Sequence, residues 1–355
     1  MARILYGVHA TGRGHAMRAL TVARGHPQHE FLFVSHGEPA RMLGREFRVF
    51  KCPGIVTPVS RHRVQLASVV TRNVPTLAAC AHWVRAVRRA AEDFKPDAAL
   101  TDLEMFVPHV ARRLGLPSLS VGNDHMATIG RIALPPAELL NWAGTATSIR
   151  ILFSTADQYL IPCFYDVPLR RTGASARRVP PLLRDEVIAM QPARGDHVVA
   201  YQGHQTLPRF IEVLEKMGRP VHVYGMGRGA ARGNLSFMEF DERAFLADLA
   251  SCAYVICGGS HTLISEALHL GKPVLAMPVV GMFEQHLNSL YLERCGYGMQ
   301  SRLRRFSLAE VEAFEQRLDG YRGKIGEGGF CGNAAAFAAL HEFMSGRWRP
   351  TDRRT

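Results

Sequence analysis

The stretch from Gly258 to Asn288 holds the densest set of residues able to do chemistry. It contains Gly258, Gly259, Ser260, His261, Thr262 and Glu266, then Gly271-Lys272-Pro273, then Glu284, Gln285 and Asn288. Residues 253–257 just before it are a short apolar run that predicts a buried strand, and the glycines let the backbone turn at once into a helix opening near Ser260. Free N–H groups at a helix start, backed by the positive end of the helix dipole, favour a phosphate, and the Ser260 and Thr262 hydroxyls add donors. Glu266, about one and a half turns on, suits both hydroxyls of a ribose. After a second strand over residues 273–277, Glu284 and Gln285 have the chemistry to grip sugar hydroxyls. Taken singly, each part also has a plain structural use: glycines for packing, a solvated helix Glu, a polar helix face.

A second set lies near the N-terminus. Residues 3–8 predict a buried strand, followed by Gly12-Arg13-Gly14-His15 and then Arg18. A Gly-x-Gly after a strand is common. The acidic residue that a dinucleotide fold wants about 20 residues later is missing, because the strand at residues 31–34 ends in Ser35-His36-Gly37. His15 stands at a helix start, where the dipole opposes protonation and favours a neutral imidazole able to act as a general base; a capping or orienting role is the alternative. Asp102 and Glu104 follow the strand at residues 98–101 and are rivals for the same proton, or caps of the next helix. The following strand ends in Gly122-Asn123-Asp124-His125, with His125 either lining a cleft or structural. In the second half, Gly203 and His204 follow a strand at residues 197–201. Arg228 follows Tyr224-Gly225-Met226-Gly227, as a phosphate partner or a surface charge.

These residues need a scaffold that brings strand ends together. Short apolar strands alternate with helical patterns over residues 4–121 and again over 197–277, which predicts two α/β domains with parallel sheets covered on both faces. The boundaries expected are an N-terminal domain over residues 1–165, a proline- and arginine-rich linker over 166–195, and a second domain over 196–332. A terminal helix and basic tail over 333–355 complete the chain. Residues 52–73 break the alternation and read as a functional loop on the first domain.

The ordered set of glycine loop, Glu266, Gly-Lys-Pro strand and Glu284-Gln285, together with the Gly-x-Gly-His loop at residues 12–15, resembles the GT-B glycosyltransferases. The similarity is to the lineage of the peptidoglycan N-acetylglucosaminyltransferase and the diacylglycerol galactosyl- and glucosyltransferases. It implies two Rossmann-like domains with a cleft between them and a C-terminal helix crossing back onto the first. It implies an inverting transferase that moves a hexose or N-acetylhexosamine from a UDP-sugar to a hydroxyl of a lipid-linked or cell-envelope acceptor. By the same resemblance Gly203, His204, Arg228, Gly259, Ser260, His261, Thr262, Glu266, Glu284 and Gln285 face the donor. Gly12, Gly14, Arg18 and His125 lie on the acceptor side, and His15, Asp102 or Glu104 is the catalytic base. His286 follows Gln285 where the peptidoglycan enzyme has a second Gln, which leaves the donor sugar open.

Composition bounds the rest. The 355 residues are 47% hydrophobic and 21% charged, an ordinary globular balance. No uncharged apolar run reaches the length of a membrane span of about 18 residues. The first strand runs straight into the Gly-x-Gly loop, so no cleavable leader is expected. Seven scattered cysteines without a Cys-x-x-Cys pair predict reduced thiols in a cytoplasmic protein. Without an Asp-x-Asp or His-Glu-x-x-His pattern no metal and no cofactor is expected, the UDP-sugar being a co-substrate. The net charge of +12 is concentrated in residues 1–165. Arg61, Arg63 and Arg72 beside Val64, Leu66, Val69 and Val70 suggest salt-dependent attachment to an anionic membrane surface. Nucleic acid is not an expected partner, because no basic-aromatic reading element accompanies the charge. The rival readings are a hydrolysing UDP-sugar 2-epimerase of the same fold and a non-catalytic sugar-nucleotide-binding subunit.

Overall fold

Apolar runs such as Ile4-Leu5-Tyr6 and Phe31-Leu32-Phe33-Val34 become buried parallel strands. In the computed structural model, which describes residues 1–153, 155–170, 175–202, 208–302 and 305–348, they belong to a seven-stranded sheet. Its strands are β1 (Arg3–Val8), β2 (Glu30–Ser35), β3 (Arg48–Lys51), β6 (Ala98–Asp102), β7 (Ser118–Val121), β8 (Gln158–Pro162) and β9 (Ser175–Val179). All are parallel, in the order β3-β2-β1-β6-β7-β8-β9. The short strands β4 (Val59–Ser60) and β5 (Arg63–Val64) pair antiparallel with each other, and Arg63 of β5 also forms a parallel bridge with Val280.

The second sheet has six parallel strands: β10 (Val198–Tyr201), β11 (Val221–Tyr224), β12 (Leu235–Phe237), β13 (Tyr254–Cys257), β14 (Val274–Ala276) and β15 (Gly298–Gln300). Their order is β12-β11-β10-β13-β14-β15. Each sheet therefore reverses its strand order once, between β1 and β6 in the first and between β10 and β13 in the second. In doubly wound sheets such a reversal opens a crevice at the C-terminal strand ends.

The chain divides into two compact units, each discontinuous. The first comprises Met1–Thr57, Leu66–Arg184 and the C-terminal stretch beginning at Gly332; the second comprises Pro58–Gln65 and Asp185–Cys331. Ile4, Tyr6, Phe31, Phe33, Leu100, Leu119 and Leu160 build the first core. Ala336, Ala339, Leu340 and Phe343 of the terminal helix Asn333–Met344 join that same core, so the chain returns to its first unit. Val198, Val221, Val223, Tyr254, Ile256 and Leu275 build the second core with Phe210, Phe306 and Phe314. Each fully buried Phe or Leu contributes about 1.5–3 kcal/mol over exposure.

Three details differ from the expected boundaries. Part of the proposed linker, Ser175–Val179, is the edge strand β9 of the first sheet. Its arginines are paired rather than solvated: Arg177 lies over the Trp348 ring and binds Glu342, and Arg178 binds Asp166. Residues 52–73 are not one loop of the first unit. The β4–β5 hairpin belongs to the second unit, where Val64 N–H donates to Val280 O and Val280 N–H to His62 O. The expected loop also ends early, because a helix runs over Leu66–Ala78 with Pro75 inside it, ahead of a second helix Cys80–Phe94. The Asn73 amide ties the first of these to Val56, giving and taking one hydrogen bond at 2.8 Å each.

Candidate active site

At the strand-order reversal of the first sheet, the loop after β1 and the end of β6 carry a charged cluster. Gly12 has φ +77°, a left-handed conformation that suits glycine, with open space where a Cβ would stand. The helix Gly14–Arg24 opens two residues later with His15 in its first turn. Arg18, one turn on, is buried on the same side. Both reach Asp102, the wholly buried last residue of β6.

His15 Nδ1 lies 2.8 Å from Asp102 Oδ1. Arg18 grips the same carboxylate with two prongs, Nε to Oδ2 at 2.7 Å and a terminal nitrogen to Oδ1 at 2.8 Å. Its other terminal nitrogen donates to Asn123 Oδ1 at 2.9 Å, and Asp124 stands 3.9 Å from the guanidinium. The carboxylate only accepts, so in the neutral ring Nδ1 carries the proton and Nε2 the lone pair. Burial raises the Asp102 carboxyl, but the Arg18 and His15 charges outweigh it and hold Asp102 well below the usual carboxylate range. Such a carboxylate orients its neighbours and takes up protons poorly. Burial also opposes protonation of His15, yet the Asp102 charge and hydrogen bond prevail and raise its pKa above the ordinary 6.5. The helix terminus alone favours the neutral ring; Asp102 reverses that direction.

Glu104 is aimed at its own backbone. Its two oxygens accept from Phe106 N–H at 2.9 Å and Val107 N–H at 2.7 Å, satisfying orphan donors at the start of the helix Val107–Leu114. Burial pushes its carboxyl up to about 7 against those hydrogen bonds. Leu103, between the two acids, has φ +51°, strained backbone for a residue with a Cβ. His125 is buried, with Nε2 2.8 Å from the Ser120 hydroxyl, and burial drives its pKa down to about 4. His9, missed by the sequence reading, packs edge-on to His15 with ring centres 5.1 Å apart; burial and the neighbouring histidines push it down to about 3. Asn123 is the other residue missed, and a polar strand end was its only signal.

The second unit builds its site on the turn from β13 into the helix His261–His269. Gly259 has φ +88°, and a Cβ there would meet Ser289 Oγ at 2.7 Å and Gln285 O at 2.8 Å. The glycine thus lets the turn lie against the helix Phe283–Arg294. Ser260 is the N-cap residue of its helix but makes no side-chain cap hydrogen bond. Ser260 and Thr262 are partly exposed, whereas His261 and Glu266 are buried. Asn288 Nδ2 donates to Gly259 O at 3.1 Å and to Glu284 Oε1 at 3.3 Å, linking the glycine turn to the Glu-Gln pair. Gln285 Oε1 accepts from Val279 N–H at 3.0 Å and so fixes the loop after β14. His62 of the hairpin holds that loop from outside, with Nε2 3.1 Å from Met277 O and 3.2 Å from Pro278 O.

Gln202 N–H donates to Tyr224 O across the β10–β11 edge, and Gln202 Nε2 is buried without a hydrogen-bond partner among the described residues. Gly203 and His204, expected beside it, lie outside the described residues. Arg228 is exposed beyond Gly227 and pairs with no carboxylate among the described residues.

The glycosyl transferase family 1 model matches residues 2–319. The chain belongs to that family, a class of glycosyltransferase enzymes, and its fold is the GT-B fold. An uncharacterized glycosyltransferase of Methanosarcina mazei is 26% identical over 236 residues, which cover 60% of this chain and 62% of that protein's length. Among solved structures, the calicheamicin glycosyltransferase CalG4 superposes with a TM-score of 0.66 at 15% identity, covering 97% of this chain and 98% of the other. MurG of Acinetobacter baumannii gives 0.62 at 14% identity over 96% and 100%. The glycosyltransferase VinC in complex with dTDP gives 0.63 at 14% over 97% and 99%. At these identities the structures speak for the fold.

Proposed function

We propose that this chain transfers a hexose or N-acetylhexosamine from a nucleoside-diphosphate sugar, a UDP-sugar on the sequence resemblance, to an acceptor hydroxyl with inversion. The observation that carries the reading is the His15–Asp102 pair at 2.8 Å, which leaves Nε2 as a base held in one orientation. Nε2 takes the acceptor hydroxyl proton as that oxygen attacks the anomeric carbon. The bond from that carbon to the diphosphate breaks, and the nucleotide leaves with the electron pair. Asp102 steadies the imidazolium, Arg18 holds Asp102, and Glu104 shapes the turn. In the second unit the Gly258-Gly259-Ser260 turn and Thr262 take the diphosphate, Glu266 the ribose, and Glu284 and Gln285 the sugar. Mass-spectrometric screening of UDP- and dTDP-sugars against lipid and saccharide acceptors tests the reading. Release of an epimerised sugar with donor alone would replace it by the epimerase, and binding without turnover across the acceptors by the sensor subunit.

Phosphate recognition here rests on helix N–H groups and hydroxyls, so no metal is required for it. UDP is expected to bind undiminished in the presence of a chelator, with dTDP compared alongside, as read by calorimetry. In the same experiment Glu266→Ala should weaken UDP by about 2 kcal/mol. Loss of UDP binding under chelation would overturn the metal-free site, and an unchanged dissociation constant in the variant would remove Glu266 from it.

We also propose a lipid-linked acceptor reached from an anionic membrane surface. None of the described helices is long and apolar enough to cross a membrane. Val64, expected to insert into lipid, is instead buried within the second unit. The support comes from the helix Leu66–Ala78, where Leu66 (76% exposed), Val70, Val74 and Leu77 form one solvent-facing stripe. Leu140 (89% exposed) and Ile151 are bare on the helix Leu139–Leu152 of the same unit. Co-sedimentation with anionic vesicles is expected at low salt and should be lost at high salt. A protein that stays in the supernatant at low salt would point to a soluble acceptor.

A further inference from the structure

At the N-terminal edge of the second sheet, opposite the end that carries the glycine turn, two histidines and an aspartate converge. His197 immediately precedes β10, His222 is the second residue of β11, and Asp248 lies in the helix Glu242–Ser251. One ligand atom from each falls within 4.8 Å of the other two. We propose that these three residues form a binding site for a borderline divalent transition-metal ion of the Zn2+ class, separate from the donor site.

The geometry is close to a three-ligand set. His222 Nδ1 lies 2.8 Å from Asp248 Oδ2, and His197 Nε2 lies 3.9 Å from Asp248 Oδ1. Ligands at about 2.0–2.1 Å from a tetrahedral ion stand roughly 3.3 Å apart, midway between these separations. The imidazole rings stack with centres 4.6 Å apart and 22° between planes, so the two side chains must turn out of the stack for both in-plane lone pairs to meet one ion. The set of two imidazole nitrogens and one carboxylate suits zinc, cobalt or nickel over magnesium or calcium. All three side chains are partly exposed, at 16%, 27% and 21%, which gives an ion and a completing water access.

The surroundings also favour it. Tyr224 OH donates to Asp248 Oδ2 at 2.5 Å and fixes the carboxylate, as an outer partner does in a metal site. His197 Nε2 is also 3.2 Å from Asp248 O; on coordination that hydrogen bond and the His222–Asp248 one are given up, and each neutral ring carries its proton on the other nitrogen, Nδ1 of His197 and Nε2 of His222. The ion would tie the starts of β10 and β11 to the helix that packs over them.

The test uses the full chain, stripped with chelator and titrated with Co2+ and Zn2+ alone. One equivalent of Co2+ is expected to give visible d–d bands without a near-ultraviolet thiolate band. Zn2+ should displace it and raise the melting temperature. His222→Ala, and separately His197→Gln, should weaken Zn2+ at least 100-fold in competition with a chromophoric chelator, while circular dichroism keeps the wild-type spectrum. Absence of stoichiometric binding, a thiolate band, or undiminished affinity in both variants would overturn the proposal. The measurement involves neither donor nor acceptor, so its failure is independent of the transferase reading.

Discussion

His15→Ala is expected to lower turnover by at least ~100-fold while leaving UDP affinity nearly unchanged, because in the proposed mechanism the imidazole acts on the acceptor proton. The pH profile gives the same residue a signature. A general base must be unprotonated, and the His15 pKa is raised above 6.5. The acid limb of kcat/KM should therefore fall above pH 6.5 in the wild type. If the variant keeps its turnover and only the acceptor KM rises, His15 positions the acceptor and another group takes the proton.

Asp102→Asn should have the larger combined effect. The amide keeps the shape but lets the ring settle in the wrong tautomer, a change worth about 10^4-fold in a comparable His–Asp pair. It also leaves the buried Arg18 guanidinium without its bidentate partner, for an expected loss of about 3–5 kcal/mol of stability. With the Asp102 charge gone, burial of His15 is unopposed, and the acid limb of any remaining activity should move to lower pH. In the wild type, the depressed Asp102 pKa means its stabilisation is present above about pH 4 and is lost as pH falls through the folded value. Thermal melts of both proteins across pH, with the kcat/KM profile, check this; an unmoved limb would remove Asp102 as the partner of His15.

The parts legible in the sequence are those where local pattern and final environment agree. The apolar runs of β1, β2, β6, β7, β10 and β13 are buried on both faces, so composition alone marks them. Both glycine turns were legible because the strand before and the helix after were. β9 was hidden, because an edge strand can carry arginines at positions where an inner one carries valines, and Arg177 and Arg178 found partners distant in the chain. The meeting of Arg18 with Asp102 was hidden for a similar reason. Each stands at a polar helix or strand end, and only the sheet order, with β6 beside β1, brings them together. Glu104 was legible as an acid at a strand end, but its choice between base and cap depends on where two N–H groups point.

The hairpin was the least legible element. A two-residue turn with both central residues at positive φ usually shows itself as Asn-Gly or Asp-Gly, and here the pair is Arg61-His62, at φ +48° and +56°. His62 offsets that strain with the carbonyls of Met277 and Pro278. The consequence bears on how such a protein can be cut and rejoined. A gene fragment starting at Asp185 and ending at Cys331 would encode the second sheet but omit the eight residues that brace the loop after β14, leaving Val280 and the two carbonyls unmatched. A chimera that exchanges only the C-terminal half with a relative would join a foreign loop to a native brace. Swaps of the second sheet should therefore carry residues 58–65 along with the half they serve.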